Sequence, residues 1–285
     1  MEEQGNDAES IGSDTQMRIT DEPDDQTAER GDIQQASERG MRSTAVRITP
    51  RDLTVLRWIA DQTVVRLDTV QTLLGRNWDG QQRWHKKVKE ALSERNTLRI
   101  IDRWSSLTLI EMQKPFAGQP YYFWLSKRGL YELGLDYKVK IPSFVLLHHY
   151  HQINQVRMWF ESAHERMKLR NWRSERQLRA EWGDIGNDDE VARNRPEHTP
   201  DAVAEIEIQM SSGWKSTWIA IEAELTYKKQ LRLHEIISKL AASPEYKAVW
   251  YFVNEQTRDN VIQAVAAYQK FVVYDIATFQ RLYPI

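Results

Sequence analysis

Cysteine is absent from the 285-residue sequence, which excludes thiol nucleophiles, disulfides, thiolate zinc fingers and iron–sulfur clusters. Any metal site must therefore use oxygen or imidazole ligands. Long hydrophobic runs are absent as well: no stretch of about 18 apolar residues occurs, and the N-terminus is acidic rather than basic and then apolar. These features predict a cytoplasmic protein that has no membrane partner.

The net charge of −2 hides an uneven distribution of charge along the chain. Residues 1–41 contain 12 acidic residues and three arginines, whereas residues 42–140 contain 18 Lys and Arg against 10 Asp and Glu. The first segment also has few large apolar residues, so we predict a disordered acidic tail there. The basic excess predicts a DNA-binding domain over residues 42–140. The nearly neutral remainder, residues 141–285, forms a second predicted domain.

The basic segment has the apolar spacing of a winged helix-turn-helix. Thr49 and Pro50 begin a first helix, because Thr caps orphan amides and Pro is tolerated at the first helical position. A second helix runs from about Asp68 to Gly75, and a basic third helix is predicted over residues 81–95. Short β-rich runs at residues 98–104, 108–113 and 121–125 complete the predicted wing.

A basic third helix of this kind lies in the major groove of double-stranded DNA. On that helix, Gln82 and Arg83 have the donor and acceptor groups that read base edges. Lys86 and Lys87, with Lys114 in the wing, are the predicted phosphate contacts. The alternative is a small helical domain whose lysines are only solvated.

The second predicted domain alternates helical and β patterns. In order, its predicted elements are a helix over residues 143–171, strands at 176–181, 199–209 and 217–225, a helix over 228–242, a strand at 246–253, a helix over 258–268 and a last strand at 271–274. Gly213 lies between two alternating strands, which predicts an antiparallel hairpin. The whole chain is therefore predicted to be a two-domain α+β protein whose second domain contains a mixed α/β sheet.

Three histidines, His148, His149 and His151, lie close together in the first of these helices. Adjacent helical positions point about 100° apart, so neighbouring rings do not converge on one ion. His149 lies on the apolar face of the helix. We therefore expect His149 to be a hydrogen-bonded core residue rather than a metal ligand.

Three carboxylates are predicted to converge on one face of the sheet. Glu222 and Glu224 are two residues apart on one strand, and Asp201 on the preceding strand reaches the same face. Such carboxylates repel one another unless a cation neutralises them, and hard oxygen ligands suit Mg²⁺ or Mn²⁺. A metal there would activate water and stabilise a phosphate transition state. The alternative is that these acids form the wet side of an amphipathic sheet.

Pro200-Asp201 followed by Glu222-Ala223-Glu224 resembles the PD-(D/E)XK nuclease motif. The wider order of motifs is similar to the replication-relaxation proteins of plasmids and other mobile elements, and the resemblance covers about residues 48–274. Besides the carboxylates, it rests on Thr-Pro-Arg-Asp-Leu at residues 49–53, a helix containing His151 and Asn154, Ser174-Glu175 before a strand, and Ile-Glu-Ala-Glu-Leu at residues 221–225 before a basic helix.

The resemblance implies a PD-(D/E)XK nuclease-like second domain in which Asp201 and Glu222 bind the metal. It implies that Glu175 supplies a further acid from the preceding helix or its end. Glu224 departs from the motif, which has Lys at that position, and the resemblance implies that a lysine reaches the site from the next helix. Lys228 and Lys229 are the nearest candidates, and Lys239 is a more distant one. The family also implies other replication, transfer or transposition proteins as partners.

Two function classes follow from these patterns. The first is a Mg²⁺- or Mn²⁺-dependent DNA endonuclease that a winged helix directs to DNA, with Asp201, Glu222, Glu224, Lys228 and Glu175 as its site. The second is a non-catalytic DNA-binding accessory factor or transcriptional regulator with a degenerate nuclease-like domain. A third class, an RNA-binding or protein-binding scaffold, is also compatible with a winged helix. A divalent ion among the carboxylates favours the first class, and a cationic side chain filling that space favours the second.

Overall fold

The computed structural model of the chain describes residues 47–78, 84–88, 91–115, 117–162, 165–183 and 198–282. The predicted acidic tail and two predicted base contacts, Gln82 and Arg83, lie outside these residues. Residues 46–285 form one compact unit. The domain boundary between residues 140 and 141 stays a prediction. Residues up to 140 are called the N-terminal half and residues from 141 the C-terminal half.

The described chain is a mixed α+β structure, which confirms the predicted class. Its helices are α1 (Pro50–Asp61), α2 (Leu67–Gly75), α3 (Glu94–Ser106), α4 (Lys127–Glu132), α5 (Leu147–Glu161), α6 (Glu175–Gly183), α7 (Gln230–Ala242), α8 (Glu255–Val265) and α9 (Ile276–Leu282). Its strands are β1 (Val65–Arg66), β2 (Arg76–Trp78), β3 (Trp84–Val88), β4 (Ile110–Gln113), β5 (Tyr122–Leu125), β6 (Met167–Ser174), β7 (Ala202–Met210), β8 (Gly213–Glu224), β9 (Ala248–Val253) and β10 (Phe271–Asp275). None of the described helices has the length and apolarity needed to cross a membrane.

The N-terminal half packs α1, α2 and α3 against a small antiparallel sheet in the order β1-β5-β4. Helix α1 begins as predicted: the Asp52 amide donates to the Thr49 hydroxyl at 3.2 Å, the Thr49 amide donates to the Asp52 carboxylate at 2.8 Å, and Pro50 is the first helical residue. Asp52 is buried and accepts a hydrogen bond from Arg103 of α3 at 2.7 Å. This capping box therefore also joins the first and third helices.

The predicted third helix over residues 81–95 is wrong. Trp84 and Val88 lie on β3 and pair with Trp78 and Arg76 of β2, so cross-strand pairing replaces the helical spacing of the same apolar residues. The third helix is α3, which begins at Glu94 and includes the 98–104 run that the sequence suggested as a strand. Its buried stripe follows the helical spacing of Thr97, Ile101 and Trp104.

The C-terminal half is built on a five-stranded sheet in the order β10-β9-β8-β7-β6. Strands β6, β7 and β8 are antiparallel neighbours, and β8, β9 and β10 run parallel. Gly213 closes the β7–β8 hairpin with a φ of +109°, a conformation that glycine adopts without a steric penalty. The predicted mixed sheet and hairpin are confirmed. Helix α7 crosses over between the parallel strands β8 and β9, as the βαβ rule requires.

Two predicted elements of this half are wrong. The helix predicted over residues 143–171 ends at Glu161, and Met167–Ser174 is the edge strand β6, because this segment pairs with β7. The strand predicted at residues 176–181 is helix α6, in which strong helix formers surround the buried Leu178. Helices α5 and α9 cover one face of the sheet, and α6, α7 and α8 cover the other.

Candidate functional site

The three predicted carboxylates meet where β7 begins and β8 ends. Ala202 pairs with Ile221 across the hairpin, which places Asp201, the residue before β7, beside Glu222. Glu224 is two residues further along β8 and therefore lies on the same face. On the other side, Glu222 pairs with Tyr251 of β9. We call Asp201, Glu222 and Glu224 the carboxylate cluster.

Asp201 is held by two partners. Its Oδ2 accepts a hydrogen bond from the Ala223 amide at 2.8 Å, and its Oδ1 lies 3.0 Å from Nε2 of His149 on α5. Burial acts to raise the pKa of this carboxyl, but His149 outweighs it and holds the pKa below its usual value. Burial likewise acts to lower the pKa of His149, and Asp201 instead raises that pKa to about 9. At neutral pH, Asp201 is therefore ionised and His149 is cationic.

Glu222 has a different electrostatic environment from Asp201. Its Oε1 lies 2.8 Å from Nε2 of His198, which stands two residues before Pro200. Burial and the neighbouring charge of Asp201 raise the pKa of Glu222 to about 7 in spite of this partner. Burial acts to lower the pKa of His198, but its hydrogen bond with Glu222 raises it. The cluster therefore holds a firmly ionised carboxylate beside one that is easily protonated.

Glu224 is buried and forms an ion pair with Lys228 through its Oε2. Its other oxygen, Oε1, accepts no hydrogen bond from the described residues. Burial raises the pKa of Glu224, and Lys228 acts in the opposite direction. The charge of Lys228 also favours the ionised forms of Asp201 and Glu222, so this lysine lies near all three carboxylates. Lys229 is exposed, and no ion pair joins it to the described residues.

Tyr251 of β9 is the cross-strand neighbour of Glu222, and its hydroxyl has no hydrogen-bond partner among the described residues. Burial raises the pKa of this phenol, and the charges of the three carboxylates raise it further. Glu175, the predicted fourth acid, begins α6 close to the cluster, because its amide donates to the Asp201 carbonyl at 2.9 Å. Its carboxylate, however, accepts a hydrogen bond from Arg179 at 2.8 Å.

The predicted DNA contacts are only partly described. Lys86 and Lys87 lie on strand β3, so their placement on a helix is wrong, and their side chains are outside the described part of the structure. Lys114 follows β4 and lies with its ammonium 5.4 Å from the centre of the Tyr121 ring. On α3, the helix that takes the third position, Arg95 and Arg99 are exposed and one turn apart.

Several residues of the site were missed from the sequence. His149 was expected to be a core residue; it does form a hydrogen bond, but with the carboxylate cluster, 52 positions away in sequence. His198 has a local signal, since it stands three residues before Asp201. The motif residues His151 and Asn154 do not contact the cluster: Asn154 donates to the Val64 carbonyl at 2.8 Å in the N-terminal half.

Among the side chains that the structure describes, no three of His, Cys, Asp and Glu have the arrangement that holds a metal ion. Each carboxylate of the cluster instead has one oxygen in contact with a nitrogen of His149, His198 or Lys228. The comparisons with known proteins add no assignment, because no family model, no curated protein and no solved structure matches the chain.

Proposed function

We propose that the protein is a metal-dependent DNA endonuclease whose N-terminal half binds duplex DNA and whose carboxylate cluster hydrolyses a phosphodiester. The observation that carries this proposal is the meeting of Asp201, Glu222 and Glu224 with Lys228 at the junction of β7 and β8. This is the combination of acids and lysine that the PD-(D/E)XK resemblance implies. The helix α5 before the strands and the crossover helix α7 after them also fit that resemblance.

The donor set of the cluster suits a divalent cation such as Mg²⁺ or Mn²⁺. Its members are hard carboxylate oxygens, and Oε1 of Glu224 is buried with no hydrogen bond from the described residues. Asp201 and Glu222, with Glu224, are the residues that would hold the ion. When bound, it supplies an activated water and stabilises charge on the phosphate. His149, His198 and Lys228 each already contact one carboxylate oxygen of the cluster. The ion therefore has to compete with these three side chains.

The chain's own residues contribute to hydrolysis in distinct ways. The Ala223 amide and His149 fix the orientation of the Asp201 carboxylate. Lys228 places a positive charge where negative charge develops on the scissile phosphate. The contact of Glu222 Oε1 with Nε2 of His198 at 2.8 Å holds this carboxylate in place beside Asp201. These groups therefore provide orientation and charge stabilisation within one cluster.

Duplex binding is assigned to a winged helix-turn-helix in the N-terminal half. The order α1, β1, α2, β2, β3, α3, β4, β5 supports this assignment: it has three helices and a sheet of β1, β4 and β5, with the β2–β3 hairpin inserted before α3 in the position of the groove-binding helix. Arg95 and Arg99 are exposed on α3 and are the residues of this helix that we place against DNA. The similarity to replication-relaxation proteins supports a role in the replication, transfer or transposition of a mobile element.

Charge reversal on α3 is expected to weaken binding to every duplex sequence. The Arg95→Glu, Arg99→Glu variant removes two phosphate-binding cations, so the slope of log affinity against log salt should flatten by about two. Fluorescence anisotropy over a salt series measures both quantities. Arg258→Glu, an exposed arginine on α8 of the other half, is the matched control and should change neither. Equal effects of the two variants would contradict the assignment of α3.

The second candidate is a non-catalytic DNA-binding accessory factor. It is favoured by one observation: each carboxylate of the cluster already has a histidine or lysine side chain as partner. In this case these partners satisfy the carboxylates, and no ion is needed to offset the carboxylate charges. DNA binding by the N-terminal half is common to both candidates, so metal binding separates them.

Mn²⁺ is expected to raise the melting temperature of the full chain in a saturable manner, because it binds only the folded cluster. At a concentration of about 100 times its dissociation constant the stabilisation is about 2.7 kcal/mol, which corresponds to roughly 5–10 °C. Asp201→Asn should remove this increase. Glu235→Gln, which changes an exposed acid on α7, should keep it. A shift no larger than that caused by matched ionic strength would overturn the nuclease proposal in favour of the accessory factor.

A further inference from the structure

The segment that follows β8 carries exposed apolar and aromatic side chains next to the carboxylate cluster. The side chain of Tyr227 is 67% exposed and that of Leu231 is 88% exposed. Lys228, between them in sequence, forms the ion pair with Glu224. We call Tyr227, Lys229, Leu231 and Arg232 the collar. The exposed collar residues therefore flank, along the chain, the lysine that contacts the candidate site.

The segment that carries the collar is held in place by hydrogen bonds and by packing against the sheet. Asn260 of α8 donates to the Lys228 carbonyl at 3.2 Å and accepts a hydrogen bond from Gln230. The next apolar residue of α7, Leu233, is fully buried against the sheet. The segment is thus anchored on both sides of Leu231, and this anchoring leaves Tyr227 and Leu231 in solvent.

The collar combines apolar surface with positive charge. Lys229 is exposed and is joined by no ion pair to the described residues, and Arg232 extends into solvent, where it pairs with Glu235 at 2.7 Å. Cations that track a phosphate backbone, together with an exposed aromatic ring, form the usual surface for an unpaired base. An exposed aliphatic side chain beside them is the type of residue that wedges between bases.

We propose that the collar binds an unpaired nucleotide and that the substrate of the site is DNA with unpaired bases, such as a fork or a melted junction. The inference deepens the proposed function and rests on it, because it takes the carboxylate cluster as the place where the scissile strand is held. In an intact duplex each base is stacked between its neighbours. No base face is then available for the ring of Tyr227. Lys229 and Arg232 hold the phosphates on either side of the stacked nucleotide.

Binding of the full chain to a forked duplex and to a blunt duplex of the same sequence, measured by anisotropy in EDTA, tests this inference. Tyr227→Ala should weaken binding to the fork about tenfold and leave binding to the blunt duplex unchanged. Tyr227→Phe should retain the affinity, because the ring is kept. Tyr131→Ala removes another largely exposed tyrosine, on α4, and serves as the control that should have no effect.

A second readout reports stacking directly. A fluorescent adenine analogue at the fork junction should be quenched by the wild type and by Tyr227→Phe, but not by Tyr227→Ala. Equal weakening of both DNAs, or no weakening of either, would overturn the collar as a site for unpaired DNA. The collar proposal would also be overturned if Tyr227→Ala kept its binding to the fork but lost self-association or binding to another protein. Fork binding that depends on Tyr227 in a protein that cuts no DNA would support the collar and overturn the nuclease proposal.

Discussion

Substitution of Asp201 by asparagine should abolish Mn²⁺-dependent nicking of supercoiled DNA without weakening DNA binding. Asparagine keeps the shape of the side chain and its oxygen still accepts from the Ala223 amide, which donates at 2.8 Å. It removes the charge that we propose for metal binding and that raises the pKa of His149. We expect the rate to fall by at least about 100-fold, the upper end of the cost of losing even an indirect metal partner.

The control is an acid on β7, the strand that Asp201 immediately precedes. Glu205 lies four residues beyond Asp201 on β7, accepts a hydrogen bond from Ser216 at 2.9 Å and does not belong to the cluster. Glu205→Gln should therefore nick DNA as the wild type does. Nicking that survives in Asp201→Asn, or that disappears equally in both variants, would contradict the assignment of the cluster. Fluorescence anisotropy with a short labelled duplex checks that all variants bind DNA with the same affinity.

The position of the carboxylate cluster was predictable because it depends on local register. Alternation in two strands and a glycine turn between them place Asp201 beside Glu222, and the structure has this arrangement. Residue parity then puts Glu224 on the same face. A hairpin needs only short-range sequence information, so periodicity and turn chemistry were sufficient to predict it.

The rest of the site depends on contacts between distant segments. His149 reaches Asp201 from α5, and no periodicity signals a hydrogen bond across 52 residues. Its apolar helix face suggested the core, but the ring is only half-buried and contacts Asp201, the residue before β7. Lys228 was predictable only through the resemblance, which called for a lysine near Glu224.

The third helix shows why a helical stripe alone does not establish a helix. The spacing of Trp84 and Val88 suits one face of a helix, yet both residues pair with β2 as a strand. Short apolar segments are ambiguous between the two periods, and a neighbouring strand decides the outcome. This outcome changes the helix that we propose for the groove: it is α3, on which Arg95 and Arg99 are exposed.

Substitution of Glu161 by glutamine should strongly destabilise the whole chain. Glu161, at the end of α5, accepts hydrogen bonds from Trp58 at 2.8 Å and Arg76 at 2.5 Å in the N-terminal half and from Arg157 at 2.8 Å. Its side chain is only 6% exposed and that of Arg76 only 2%. Loss of one partner from a buried ion pair costs about 3–5 kcal/mol, because the remaining charge is left desolvated.

An exposed ion pair in the same chain provides the matched control. Glu132 lies 3.7 Å from Arg128 on α4, and both side chains are exposed to solvent. Glu132→Gln should change the free energy of unfolding by no more than about 1 kcal/mol. Urea denaturation at neutral pH measures both variants. A loss of similar size in the two would show that burial does not strengthen the Glu161 contacts.

The effect of Glu161→Gln on the free energy of unfolding should also depend on pH. Burial acts to raise the pKa of Glu161, but Arg157 and Arg76 outweigh it and hold the pKa below its ordinary value. A carboxyl with a lowered pKa stabilises the fold fully above its unfolded pKa, and this stabilisation disappears as the pH falls through the folded pKa. The difference in stability between the wild type and Glu161→Gln should therefore be largest at neutral pH and shrink below about pH 4.3, the ordinary pKa of Glu. A difference that is constant between pH 7 and pH 3 would mean that the ion pairs do not carry the effect, and that glutamine disturbs the packing of α5 instead.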